Sequence, residues 1–367
     1  MPLSEVVLLQ RGFDLPAKDR RPGSFPVLTS GETGGTHDQG PVKGPGVVVG
    51  RASNLGRPKW SEGDFWPHNT TMFVKDFMGN EPRWVYHLFE NTDLAGFNSG
   101  SVQPMLNRNY IARVPVMVPP ASEQREIAEV LGALDRMRLA NIELARATDE
   151  LVSTCFTRAV REATYPGATF ADVARVSGGG TPSTKVPEYW EGTIPWATPT
   201  DVTALEGPYL ESTSRTITGA GLRSCSSELF SPGAILMTSR ATIGAFALTQ
   251  VPTAVNQGFI VVEPHDETLR YWMLHDMRSR VDEFIAMANG ATFLELSRGN
   301  FKKLEVRVAA RHVMQDFATN AEALHKSARH ALLENHTLTE LRATLLPELM
   351  SGRLRVKDAE KKIAGVM

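Results

Sequence analysis

Two cysteines, Cys155 and Cys225, are all that the 367 residues contain. That is too few for a disulfide framework or a zinc knuckle, and the two sit in unlike surroundings, so two unpaired, buried thiols are expected. Long apolar runs are missing as well. None approaches the roughly 18 residues a bilayer crossing needs, and the opening MPLSEVVLLQRGFDLP has no basic region followed by an apolar block, so a cytoplasmic protein is expected. An excess of either charge is absent too: 39 Lys and Arg against 41 Asp and Glu leave a net charge of −2. A stand-alone nucleic-acid binder would carry a basic surplus, so any DNA contact must come from segregated charge or be shared with partners. Catalytic signatures are also wanting. There is no G-x-x-x-x-G-K-[ST] phosphate loop, no H-E-x-x-H pair and no G-x-S-x-G nucleophile turn. The Gly-rich stretch from Ser177 to Pro182 lacks the lysine of a phosphate cradle and reads as a tight turn. His37, His68 and His87 do not have metal-ligand spacing, so no metal is expected. The chain has no Asn-Pro-Pro-aromatic segment of the kind that holds a target base in amino-methyltransferases, so it should not methylate by itself.

What is there is a soluble core, with 42% hydrophobic and 22% charged residues, and length for two or three domains at roughly 100 to 200 residues each. It is also duplicated. GSVQPMLNRNYIARVPVMV from Gly100 to Val118 aligns without gaps on GATFLELSRGNFKKLEVRV from Gly290 to Val308, an offset of 190 that matches Leu106 to Leu296 and Arg108 to Arg298. Upstream, PGVVVGRASNLG (Pro45 to Gly56) resembles PGAILMTSRATIG (Pro232 to Gly244) at offsets of 187 and 188.

Each copy runs on into a long helical pattern. Pro119 and Pro120 close the first strand, and Ser122 with Glu123 and Glu126 suits a helix start. Ile127, Val130, Leu134, Met137, Leu144, Leu151 and Cys155 then follow steps of three and four, with Asn141 and Thr148 in the intervening seam places. The second copy gives Phe317, Ala321, Leu324, Ala328, Ala331, Asn335, Leu338 and Leu345, until Pro347 and Ser351-Gly352 break the rhythm. About 35 residues at 1.5 Å each make roughly 50 Å, too long for a helix hidden inside a small domain. The units before these helices, 1–120 and 164–309, read as mixed α+β, mostly strand. Each should hold one amphipathic helix, near Pro82 to Leu94 and near Thr268 to Ala288. Tyr165-Pro166-Gly167 marks a break, and Lys357 to Lys362 should fray.

Forked and amide donors recur beside the turns of both copies: Arg51, Ser53 and Asn54 against Arg240 and Thr242, and Asn69 against Asn256. Such side chains read base edges, arginine pairing with guanine and asparagine with adenine, while hydroxyls anchor phosphates. Arg108 and Arg298 lie in the repeated segments. Arg11, Lys18, Arg20, Arg21, Lys185, Arg215, Lys302 and Lys303 could contact phosphates. The competing reading for all of these is a solvated charged face or a structural turn.

At this point the residues resemble a known family, the specificity subunits of type I restriction-modification systems. The resemblance rests on VPVMVPPASEQREIAEVLGALD at the first strand-to-helix junction and on the terminal LLPELMSGRLRV. QRGFDLPAKDRRPGSFPVLTSG, GPGVVVGRASNLG and FADVARVSGGGTPSTKVPEYWEGTIPWATPTDV are similar to recognition-domain openings. It implies an α+β protein of two tandem target recognition domains of similar fold (1–120 and 164–309). Two long antiparallel coiled-coil helices (121–163 and 310–352) would separate them with pseudo-two-fold symmetry, and a tail (353–367) would follow. Antiparallel pairing places Asn141 beside Asn335 and Cys155 near Phe317. The resemblance further implies a bipartite double-stranded DNA target and methyltransferase subunits docked on the helices, Glu123, Gln124 and Arg125 among the contacts. S-adenosylmethionine would sit on those partners, and motor-nuclease subunits could join. The chain itself would be a non-catalytic reader. A departure appears at the second junction, where Ala309-Ala310-Arg311-His312-Val313-Met314 replaces the Pro-Pro and Glu-Gln block. The other reading of the whole chain is a helical-scaffold interaction protein that binds another protein rather than DNA.

Overall fold

The computed structural model describes residues 1–31, 34–97, 105–164, 167–289 and 294–365. Gly100 and Gly290, which open the repeated segments, and Tyr165 and Pro166 of the expected break lie outside the described residues. In chain order the elements are β1 (Leu8–Arg11), β2 (Phe25–Leu28), β3 (Thr36–His37), β4 (Gly46–Gly50), β5 (Pro58–Ser61), β6 (Trp66–Pro67), β7 (Thr71–Asp76), α1 (Pro82–Glu90), α2 (Arg108–Ile111) and α3 (Ala121–Ala159). There follow α4 (Phe170–Val173), β8 (Ala174–Gly178), β9 (Trp190–Ala197), α5 (Pro199–Thr203), β10 (Tyr209–Leu210), β11 (Thr216–Ile217), α6 (Gly219–Arg223), β12 (Ile235–Thr238), β13 (Phe246–Thr249), β14 (Ala254–Val255) and β15 (Phe259–Pro264). The chain closes with α7 (Arg270–Arg278), α8 (Val281–Ala286), α9 (Arg298–Lys302), α10 (Arg311–Met350) and α11 (Val356–Ala364). The polypeptide divides into two compact units, the first made of Met1–Arg138 with His336–Met367 and the second of Leu139–Asn335. Each long helix therefore contributes one half to each unit.

The duplication is plain in the sheets. In the first unit the order is β1-β7-β4-β5, and β3-β2-β6 forms a second sheet; in the second unit β8-β15-β12-β13 repeats the first order with β10 added, and β11-β9-β14 repeats the other. Pairing senses match too: β7 and β15 are antiparallel to both neighbours, while β2–β6 and β9–β14 are both parallel, as is the added β10 on β13. Val47, Val48 and Val49 are completely buried, as β-branched residues of a central strand covered on both faces should be. The turns after β4 and β12 are copies as well. Ser53 and Ala241 are left-handed (φ 65° and 59°), and so are Gly56 and Gly244 (76° and 89°), where glycine removes the steric penalty.

Helix α3 starts right after Pro119-Pro120, and its first half buries Ile127, Val130, Leu131 and Leu134 against Leu338, Leu345 and Leu349 of α10 in the first unit. In the second unit Phe156 meets Phe317 with ring centroids 5.6 Å apart, and Asn141 Nδ2 donates to Asn335 Oδ1 at 3.1 Å. Contacts whose numbers rise on one helix and fall on the other establish antiparallel pairing within that unit. The α10 seam follows the expected residues. That of α3 keeps the expected Thr148 but otherwise departs: Leu144 and Leu151 are about half exposed and Cys155 is exposed, while Ala145, Val152 and Phe156 face inward. A straight helix of 3.6 residues per turn drifts about 20° per heptad from a 3.5 repeat, so the buried stripe has moved by one residue after the Asn141 position.

Other expectations also need correcting. Neither cysteine is buried, Cys225 being half-buried. The helix expected to span Thr268 to Ala288 is two, α7 and α8, interrupted around Arg280. Pro347 lies inside α10, which runs on to Met350, because Leu349 and Met350 pack into the core and outweigh the lost N–H. The charged tail does not fray; α11 docks Val356 and Ala359 in the first unit.

Candidate nucleic-acid interface

In the first unit three predicted cations converge. Arg11 at the end of β1, Arg51 just after β4 and Arg108 at the start of α2 line a cavity of about 190 Å³ with Met72, Met105, Leu106 and Asn107. No carboxylate lines it among the described residues. Arg51 donates to the Asn69 carbonyl at 3.4 Å and the Met105 sulfur at 3.2 Å, and Arg108 to the Leu9 carbonyl at 3.3 Å. A guanidinium has five donors, so most remain for a ligand. Burial and then the Arg11 charge push the Arg51 pKa down, the sign of uncompensated positive potential. Arg11 has one exposed, long pairing with Asp14 at 3.5 Å. Such a place suits an anion.

The remaining candidates of this unit are more committed. Asn69 gives its amide to Asp14, and Asn54 gives its own to the Ser30 carbonyl at 2.8 Å. Arg20 reaches the Gly34 carbonyl at 2.6 Å, and Arg21 pairs with Asp38 at 3.0 Å. Lys18 and Ser53 are exposed.

The second unit does not reproduce the three-arginine cavity. Leu106 N–H bonds the Arg51 carbonyl, whereas Leu296 N–H bonds the Ser239 carbonyl, and Ala52 bridges Met105 as Arg240 bridges Glu295. Arg51 thus corresponds to Ser239 and Ala52 to Arg240. The expected Arg51–Arg240 equivalence is one residue out of register, and a one-residue slip in extended chain turns the side chain to the opposite face. Arg240 pairs with Glu295 at 2.8 Å. Arg298 lies against Gly178, the counterpart of Arg11, which has no side chain there. Asn256 accepts from Gly258 N–H at 2.8 Å and so holds its own turn. Arg215 lies over the Trp190 ring, its Cζ 3.6 Å from the centroid, a cation on an aromatic face. Lys185, Thr242, Lys302 and Lys303 are exposed.

At the first junction Glu123 is half-buried and Arg125 exposed, but Gln124 is only 2% exposed. Its Oε1 accepts from Glu81 N–H at 2.9 Å, and its Nε2 donates to Asn80 Oδ1 at 2.8 Å and the Pro119 carbonyl at 3.0 Å. The expected partner contact at Gln124 is therefore corrected to an internal staple between α1 and α3. Met314, its counterpart in α10, packs against Phe156 and Trp272 instead. Gln124→Ala should lower stability by about 1 to 3 kcal/mol through orphaned buried groups, read by denaturant melting of the isolated chain. A variant that melts like wild type yet fails to join its partners would reverse that correction.

Two buried polar clusters were not foreseen. In the first unit Arg342 of α10 pairs with Glu90 at 2.5 Å and Asp135 at 2.7 Å and lies 3.4 Å from His87 Nδ1. In the second, His275 Nε2 faces His325 Nε2 at 3.2 Å beside Asp149, which Arg278 holds at 2.6 Å. Burial, and then the Arg278 charge, push His275 down to about 3; burial outweighs Asp149 and pushes His325 down to about 4. The repeat offsets already joined these places, His87 to His275 at 188 and Asp135 to His325 at 190. A periodicity search for apolar residues passes over them.

Fold and site together define a class: a duplicated α+β recognition module whose copies are each continuous with one of two paired helices, with cations gathered at strand ends. The sequence model of a family described as the type I restriction modification DNA specificity domain matches residues 1–147 and 168–311. The chain belongs to that family. It is 37% identical over 150 residues to the specificity subunit of the type I restriction enzyme MjaIX of Methanocaldococcus jannaschii, a match covering 40% of this chain and only 35% of that relative. It is 25% identical over 320 residues to the EcoR124I/EcoR124II specificity subunit of Escherichia coli, covering 78% and 76% of the two chains. In fold it is similar to the crystal structure of a type I restriction-modification S subunit from M. genitalium, with a TM-score of 0.66, 13% identity and 95% of each chain covered.

Proposed function

We propose that this chain is the DNA-reading subunit of a type I restriction-modification assembly in the cytoplasm. Each recognition domain takes one half of a bipartite double-stranded target. The observation that carries the reading is the convergence of Arg11, Arg51 and Arg108 on one cavity with no carboxylate among its described lining residues, inside a module that the chain contains twice. The helices serve as the docking surface for methyltransferase subunits, which carry the S-adenosylmethionine and the chemistry; motor-nuclease subunits join that core. Leu144 and Leu151, seven residues apart on one face of α3 and about half exposed, support docking there. The chain itself performs no catalysis. No helix among the described residues is long and apolar enough to cross a membrane.

The test is selection of random DNA by the chain assembled with the methyltransferase subunits of its own genome. A target of two fixed half-sites around an unread spacer is the expected result. Binding without sequence preference, or methyl transfer by the purified chain alone, would overturn the proposal.

A further inference from the structure

His275 on α7, His325 on α10 and Asp149 on α3 come from three elements of the second unit. Each presents a ligand atom within 4.8 Å of the others. The two Nε2 atoms are 3.2 Å apart. An ion about 2.05 Å from each nitrogen would see them at an angle of about 100°, close to tetrahedral. The other ring nitrogens are fixed: His325 Nδ1 is 2.7 Å from the Tyr209 hydroxyl and His275 Nδ1 is 3.4 Å from the Ser153 hydroxyl. With Nδ1–H donated outward, both Nε2 atoms carry a lone pair and lie close enough to share one ion, as in metal sites whose ligand tautomers are set by outer hydrogen bonds.

The duplication supplies an internal comparison. His87 and Asp135, the counterparts of His275 and His325, share a cation, the Arg342 guanidinium. At the 190 offset the counterpart of Arg342 is Val152, an apolar residue that brings no charge. The first unit places the Arg342 guanidinium between these two positions; the second has two imidazoles there, with the Arg278 guanidinium held to one side on Asp149.

We propose that Asp149, His275 and His325 bind one divalent transition-metal ion of the zinc type, which ties α3, α7 and α10 of the second unit together. Imidazole and carboxylate donors suit zinc and cobalt, and three protein ligands leave a position for water. Asp149 is 36% exposed and lines a cavity of about 280 Å³ with Glu150, Glu206, Arg146 and Arg278, so its carboxylate is open to solvent on that side. The carboxylate oxygen within 4.8 Å of the two nitrogens is the third ligand, drawn in by a side-chain rotation when the ion binds. Arg278 remains on that carboxylate as its outer hydrogen bond and moderates the affinity.

The experiment uses the full chain, freed of metal by a chelator and titrated with Co²⁺. One equivalent should produce the visible bands of a four- or five-coordinate, nitrogen-bound ion, and Zn²⁺ should abolish them by displacement. Zinc at a hundredfold excess over its dissociation constant should raise the melting temperature on the order of 5 to 10 °C. His325→Gln should remove both effects. Asp149→Asn, a partly exposed change, should weaken binding at least tenfold while the metal-free protein still melts cooperatively. His330→Ala and His336→Ala, on the exposed face of α10, should bind as wild type does. A pair of imidazoles joined only by an N–H···N hydrogen bond would give no bands and no shift. That outcome, or binding that survives both site variants and vanishes with His330→Ala, overturns the proposal.

Discussion

Replacing Arg342 with methionine should cost the first unit about 3 to 5 kcal/mol, the range for stripping one partner from a buried ion pair. The guanidinium is 14% exposed, and Glu90 and Asp135, which it joins, are 19% and 16% exposed. Without it two carboxylates stay desolvated side by side, with Arg83, 3.0 Å from Asp135, as the nearest remaining offset. The loss carries a pH signature. Burial, reinforced by the Arg342 charge, holds the His87 imidazole below its ordinary 6.5, so in the wild type the unfolded chain binds the extra proton and stability falls as pH drops below that value. Burial alone would raise Glu90, but His87 and Arg342 hold it below 4.5, so its contribution is present above that pH and disappears in acid. In the variant His87 gains protonation next to two free carboxylates and Glu90 titrates earlier. The stability gap between variant and wild type should therefore narrow between pH 7 and pH 4. Denaturant melts across that range would show it, and a gap that widened toward acid would mean the guanidinium is not what these groups share.

Alanine at Arg51 should weaken one half-site of the DNA target and leave the other intact. A lost base contact costs roughly 1 to 3 kcal/mol, about 5- to 150-fold in affinity. Arg11→Ala and Arg108→Ala should act on the same half-site, because the three line one cavity. Lys302→Ala and Lys303→Ala, exposed at the end of α9, should instead weaken all sequences alike, each lowering the salt slope by about one. The asparagines part company with the arginines. Asn69 is held by Asp14 and Asn256 closes its own turn, so their removal should lower melting temperature before it alters selectivity. Binding of targets mutated one half at a time decides between these roles. Equal loss on both halves for Arg51→Ala would make that residue a support of the fold rather than a reader.

How far the sequence could be read depended on whether one residue type carried the signal. Pro119-Pro120 cannot donate ladder hydrogen bonds, so the helix start at Ala121 is visible in the sequence, but the strand expected before it is only an isolated bridge between Pro115 and Pro2. The α10 seam was visible because its apolar residues are small and regularly spaced. Residue type alone points Leu144 and Leu151 of α3 inward, but both lie half in water while Ala145 and Val152 are buried, which the drift of a straight helix explains and a heptad template does not. Identity across the turn pairs Arg51 with Arg240, whereas the backbone bridges, Ala52 to Met105 and Arg240 to Glu295, make Arg240 the equivalent of Ala52. Gln124 looked like a surface motif, and only the approach of α1 shows that its amide is enclosed. The His275–His325 pair was invisible for a similar reason: 50 residues separate its members, and only the packing of α7 on α10 unites them.

The first unit is assembled from both ends of the polypeptide, since Leu338, Leu345, Leu349 and Val356 complete a core begun by Leu3, Val6 and Val7. During synthesis residues 1–138 emerge first yet lack those side chains until about 200 further residues have been made. The contiguous second unit is free to fold in that interval, so the ribosome delivers the later module complete while the earlier one waits with apolar surface open. Such an order exposes the nascent N-terminal module to aggregation, and it makes closure of a very long loop the last step of maturation.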